Sequence, residues 1–334
     1  MPEKNLPELI TLKRLIDEGG KHLEVSTSCT VAMDGRQFPV YTIALGNPSP
    51  DVPALGFFGG VHGLERIGTQ VVLSFMESLL ARLRWDSTLH QQLESMRLVF
   101  MPLVNPGGMW QATRCNPQGV DLMRNAPLSA TEKVPFMLGG QTYSRHLPWY
   151  RGQAGAPMQP ESKAVCDVVQ RELLPRQFSM ALDCHSGFGL RDRIWFPHAH
   201  TATPIPHLAD IGALEELFSQ SYPNHNYVFE PQSRQYRTHG DLWDYLYLNG
   251  ANVFLPLTLE MGSWLWVKKN PRQIFDRIAM FNPTARHRLQ RVLRRHLILF
   301  DFLMRAANSH GRWLPEGMAR TIQHRRALTQ WYHT

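Results

Sequence analysis

Apolar positions along the chain follow two periods, and the switches between them mark the elements. Residues 23–45 alternate apolar or β-branched with polar side chains around Met33-Asp34-Gly35-Arg36, which predicts a hairpin at a sheet edge. The run Ala54-Leu55-Gly56-Phe57-Phe58 predicts a buried strand that ends in Gly59-Gly60. From Ile67 to Leu83 the apolar spacing becomes helical. The same order recurs. Arg97 to Met101 is an apolar strand ending at Asn105-Pro106-Gly107-Gly108. A helical stretch from Glu161 to Leu174 precedes a strand from Phe178 to Leu182, which ends at Asp183-Cys184-His185-Ser186-Gly187. A further strand, Asn252 to Leu259, ends at Glu260-Met261-Gly262.

Apolar strands alternating with helices predict an α/β fold: a mixed, mostly parallel twisted sheet with helices on both faces, binding ligands beyond the carboxyl ends of its strands. Residues 105–160 are rich in Pro, Gly, Asn and Gln and show no long period, so they are expected at the rim of a site and not as a linker. All 334 residues are read as a single catalytic domain with a basic C-terminal helix and tail, at about 284–334.

Composition narrows the chemistry. Hydrophobic residues at 43% and charged residues at 19% suit a globular core. The charged N-terminus lacks a signal-like apolar run and no stretch is long enough to span a bilayer, so no membrane is expected and a cytoplasmic location is the plain expectation. Cys29, Cys115, Cys166 and Cys184 form no CxxC pair, which leaves His and carboxylates as candidate metal ligands. The net charge of +7 gathers beyond residue 284. No nucleic-acid-reading motif accompanies it, so a solvated face is expected there.

Four groups of residues carry candidate chemistry. His62-Gly63-Leu64-Glu65 lies between a strand and a helix, where positions i and i+3 can meet one ion. The alternative is a Glu stabilising the helix N-terminus beside a polar His. A catalytic zinc needs a third protein ligand, and His185 at another strand end meets that demand. Glu260 ends an apolar strand, where it serves as a general base beside a metal or pairs with an Arg. Arg114 and Arg124, on one segment, suit a carboxylate and a polarised carbonyl.

In order, the chain presents HxxE, NPxG, GVDLxRN, a strand-end His-Ser and a strand-end Glu. With them, residues 55–262 resemble the zinc carboxypeptidase family of carboxypeptidase A-like metallopeptidases. The resemblance implies one Zn2+ per chain held by His62, Glu65 and His185, with Glu260 as the base. It implies that Arg114 stabilises the developing oxyanion, that Arg124 binds the substrate carboxylate, that Asp121 orients a zinc-ligating His, and that Tyr236 is the mobile tyrosine. It departs from the family at Met123, where Asn usually adds a donor for the carboxylate, so Met123→Asn is expected to restore one. The implied activity is cleavage of a peptide or amide bond next to a free carboxylate. An N-acyl amino acid deacylase on the same fold is the alternative, and a non-catalytic binding protein is disfavoured by the presence of Glu260. Substrate preference and oligomeric state are not legible in the sequence.

Overall fold

A computed structural model describes residues 6–187 and 189–332. Eight strands form one sheet: β1 Glu24–Met33, β2 Arg36–Gly46, β3 Ala54–Gly59, β4 Arg97–Met101, β5 Phe178–Gly187, β6 Arg193–Phe196, β7 Val228–Pro231 and β8 Val253–Gly262. Their spatial order is β1-β2-β4-β3-β5-β8-β6-β7. The central β4-β3-β5-β8 pairs are parallel, while β1-β2, β2-β4 and β6-β8 are antiparallel, which makes the sheet mixed. The predicted hairpin is β1-β2. Its turn residues Asp34 and Gly35 both have positive φ (51° and 71°), as a twisted two-residue turn requires.

Period-two alternation divides the core between the two faces of the sheet. On one face Leu55 and Phe57 of β3 pack with α2 (Arg66–Arg82), α6 (Leu208–Ser221), α9 (Arg286–Asn308) and α10 (Gly317–Trp331). Phe57 stacks on Phe300 of α9 at 4.7 Å and meets Phe75 of α2 edge-on at 5.1 Å. On the other face Ala54 and Phe58 pack with α4 (Pro106–Gln111), α5 (Pro160–Glu172) and α7 (Leu242–Leu248). The chain also forms α1 (Pro7–Gly19), α3 (Ser87–Glu94) and α8 (Trp264–Lys269).

Two elements differ from the sequence reading. β5 and β8 do not stop short of the candidate residues; they run on in register through His185↔Glu260 to Gly187↔Gly262. Polar residues stay in the strands because the ladder satisfies their backbone groups. The basic C-terminal segment is two helices. The second is no loose tail: Arg320 binds Asp210 of α6 through two bonds of 2.7 and 2.8 Å, and Trp331 Nε1 donates to Phe229 O. Among the described residues, no helix is long and apolar enough to cross a membrane.

Candidate metal centre

The loop from β3 into α2 is folded back tightly, and its neighbours dictate that shape. Gly63 lies so close to Gly108 that a Cβ on it would sit 2.1 Å from the Gly108 carbonyl carbon. Asn105, first residue of the NPxG motif, donates through its backbone N–H to Gly60 O and through Nδ2 to Val61 O, and accepts from Gly108 N. The motif therefore staples this loop to α4. Glu65 N–H donates to His62 O at 3.0 Å, which closes the turn and turns the two side chains to the same side.

His62 Nδ1, His185 Nδ1 and the Glu65 carboxylate face one point, and these ligand atoms all lie within 4.8 Å of one another. His62 Nδ1 is 3.0 Å from Glu65 Oε1, His185 Nδ1 is 3.1 Å from Glu65 Oε2, and the two Nδ1 atoms are 3.1 Å apart. The outer nitrogens point away to carboxylates. His62 Nε2 is 3.1 Å from Asp121 Oδ1, and His185 Nε2 is 2.7 Å from Asp183 Oδ2. Carboxylates accepting from both Nε2–H groups would leave the two Nδ1 lone pairs directed inward, the tautomers a metal requires.

Charge points the same way. Glu65, Asp121 and Asp183 are buried carboxylates, and among the described residues Arg114 is the one guanidinium bonded to them, donating to Asp121 Oδ2 at 2.9 Å and Glu65 Oε1 at 3.1 Å. Burial opposes the charge of Glu65, yet the imidazoles of His62 and His185 outweigh it and hold that carboxyl well below its usual range. With both imidazoles neutral, as metal ligands must be, three carboxylates against one guanidinium leave two negative charges for a cation to balance. Two imidazoles and a carboxylate are a donor set that zinc accepts.

Glu260 stands beside His185 in the β5-β8 register and lines a cavity of about 320 Å³ together with Glu65, Arg114 and Tyr236. Burial pushes its carboxyl up to about 7 without a metal, and a nearby cation would draw it back down. A larger groove of about 670 Å³ lies elsewhere, along residues 125–158, and none of the metal-site residues line it. Of the irregular stretch 105–160, Arg114, Leu138 and Trp149 reach the cavity that Glu260 lines.

Arg124 is placed differently. It is 3% exposed and absent from the cavity wall; its guanidinium lies 6.0 Å from the Tyr236 ring centre and 3.8 Å from Asp241 Oδ2. Met123 is 4% exposed and packs in the apolar cluster on the α5 face of the sheet, so its side chain does not stand where a substrate carboxylate could meet it. Sequence reading missed Asp183 and Trp243, whose Nε1 donates to Asp183 Oδ2 at 2.9 Å. The Asp183-x-His185 spacing was the available signal, since residues two apart on a strand share a face. It also missed Ser186 N–H, which donates to Glu65 Oε2 at 3.0 Å.

A family profile described as zinc carboxypeptidase matches residues 25–267. Among curated relatives, carboxypeptidase D of Anas platyrhynchos is 21% identical over 60% of this chain and 13% of its own length. Carboxypeptidase SOL1 of Arabidopsis thaliana is 26% identical over 78% of this chain and 52% of its own length. The chain therefore spans at most about half of either relative. Among solved structures, thrombin activatable fibrinolysis inhibitor superposes with a TM-score of 0.66 at 16% identity, over 89% of this chain and 72% of the other. Carboxypeptidase A from Helicoverpa armigera gives 0.59 at 15% identity, over 80% and 71%. These structures share the fold, and the profile spans most of the chain: the protein belongs to the zinc carboxypeptidase family.

Proposed function

We propose that this chain is a zinc-dependent carboxypeptidase-type hydrolase that cleaves a peptide or amide bond next to a free carboxylate. One observation carries the reading: two imidazole nitrogens and a carboxylate converge in a buried nest whose negative charge exceeds its positive charge. His62, Glu65 and His185 would hold the ion, one per chain. When bound, zinc supplies Lewis acidity toward the scissile carbonyl and lowers the pKa of a water.

The remaining roles fall to the chain's own side chains. Glu260, on the cavity wall, accepts the proton of the attacking water and hands it to the leaving amine. Arg114, held in place by Asp121 and Glu65, faces the same cavity and stabilises the carbonyl oxygen as charge develops there. Asp121 and Asp183 fix the orientation of the two imidazoles. Tyr236 lines the cavity where Arg124 does not, and its displacement opens Arg124 to the substrate carboxylate.

Glu260→Gln tests this assignment. Bound zinc should persist while turnover falls by a factor on the order of 10² to 10⁴, the usual contribution of a general base. Near-normal turnover in that variant would remove Glu260 from the chemistry. The N-acyl amino acid reading is favoured by the size of the cavity, about 320 Å³, at the small end for ligand sites. Assaying zinc-loaded protein on free peptides, amidated peptides and N-acyl amino acids separates the two.

A further inference from the structure

The catalytic cavity does not end at its own wall. A second cavity of about 530 Å³ adjoins it, and Arg191 lines both. Arg191 is exposed, and among the described residues its side chain makes no hydrogen bond or ion pair. Two carboxylates close to it in the fold, Asp192 and Glu230, are engaged with other cations. Glu230 accepts from Arg193 at 2.9 Å, and Asp192 pairs with Arg295 at 3.0 Å while also accepting from Gly262 N–H.

The groove beyond Arg191 combines cations with flat rings. Tyr222, His225 and Tyr227 line it with Arg295, whose guanidinium lies 5.5 Å from the Tyr227 ring centre. Arg295 belongs to α9, and the exposed Arg291 and Arg294 of that helix extend the positive charge past the groove. At its inner end the groove meets the cavity of the proposed base at Arg191, which lines both, two residues before Arg193, the register partner of Glu260 across β6 and β8. This gives part of the basic C-terminal segment a place relative to the catalytic cavity.

We propose that the groove receives the substrate segment on the amino side of the scissile bond, and that this segment is acidic. The proposal rests on the hydrolytic reading of the adjoining cavity. A peptide with Glu or Asp residues there lays one carboxylate on Arg191 and carries the next toward α9, its backbone running over the tyrosines.

The test uses peptides identical in their last two residues, with the preceding positions carrying Glu, Gln or Lys. Each is assayed for kcat/KM with the zinc-loaded protein, and for binding by fluorescence anisotropy with Glu260→Gln. The acidic peptide should exceed the Gln peptide by about five-fold at low salt, the effect of a partly exposed ion pair, and the ratio should fall toward one near about 0.5 M salt. Arg191→Glu should bring the ratio below one. Cleavage of all three peptides at equal rates, or a ratio that Arg191→Glu leaves unchanged, overturns the groove proposal and leaves hydrolysis standing. Tighter binding of the acidic peptide without any cleavage overturns the hydrolytic reading and leaves the groove standing.

Discussion

Around the proposed metal position nearly every polar atom has a partner, whereas around Arg124 several have none. His62 and His185 are engaged through both ring nitrogens, and both oxygens of Glu65 accept two contacts each. Among the described residues, the buried Arg124 Nε, Asp241 Oδ2, Asp244 Oδ1 and Thr238 Oγ1 lack hydrogen-bond partners. Burial, with Asp244 nearby, pushes the Asp241 carboxyl up to about 7, so the pairing of Arg124 is incomplete. A buried polar group left unpaired costs about 1–3 kcal/mol, and a ligand that satisfies it recovers part of that. Under the proposed function, the difference teaches that the metal half of the site is organised before substrate arrives and the Arg124 half is organised by the substrate.

The largest effect should come from removing a ligand from the organised half. His62→Ala or His185→Ala should reduce bound zinc from about one per chain to a trace and abolish turnover, as elemental analysis of protein purified without chelator would show. Zinc retained at full occupancy in both variants would break the comparison at its stronger end.

Next come two changes of similar size on opposite sides. Asp183→Asn should weaken zinc about 10- to 100-fold, because the amide no longer anchors His185 Nε2–H as a carboxylate does. A chelator competition reads this directly. Arg124→Ala should lower kcat/KM for a free-carboxylate substrate by roughly 1.5–3 kcal/mol, about 10- to 100-fold or somewhat more, while amidated analogues lose little. The two effects should be separable: zinc affinity moves in the first variant only, and carboxylate discrimination in the second only. If Arg124→Ala changes neither substrate, the anchor lies elsewhere in the cavity.

This split explains what the sequence made legible. His62, Glu65, His185 and Glu260 sit at or near the ends of apolar strands, and strand ends are visible as breaks in a hydrophobic pattern. The mixed, mostly parallel sheet with helices on both faces follows from the same pattern. Strands β6 and β7 were not read, because strands of four residues carry little periodicity. Arg124 was legible as a residue but not in its burial, since Tyr236, Asp241 and Arg124 meet only through tertiary packing across more than a hundred residues. Arg191 was not singled out for the same reason: its significance lies in the two cavities it joins.

The smallest expected effect concerns Met123, where the sequence and the structure lead to different outcomes. Read along the chain, Met123 stands beside Arg124 in place of a carboxylate donor, so Met123→Asn should improve cleavage of free C-termini. In the fold, its backbone N–H donates to Asp121 Oδ1 at 3.1 Å while its side chain packs among apolar neighbours, with 4% exposure. An Asn side chain there would bury an amide without a partner, a cost of about 1–3 kcal/mol on mutational scales. Met123→Asn should therefore lower the denaturant midpoint and leave the ratio of free to amidated cleavage unchanged. Met123→Leu, which conserves volume and polarity, should cost less than about 1.5 kcal/mol. An Asn variant that is as stable as wild type and cleaves free C-termini faster would mean that position 123 turns toward the substrate, and the organised half of the cavity would then extend one residue further than the fold indicates.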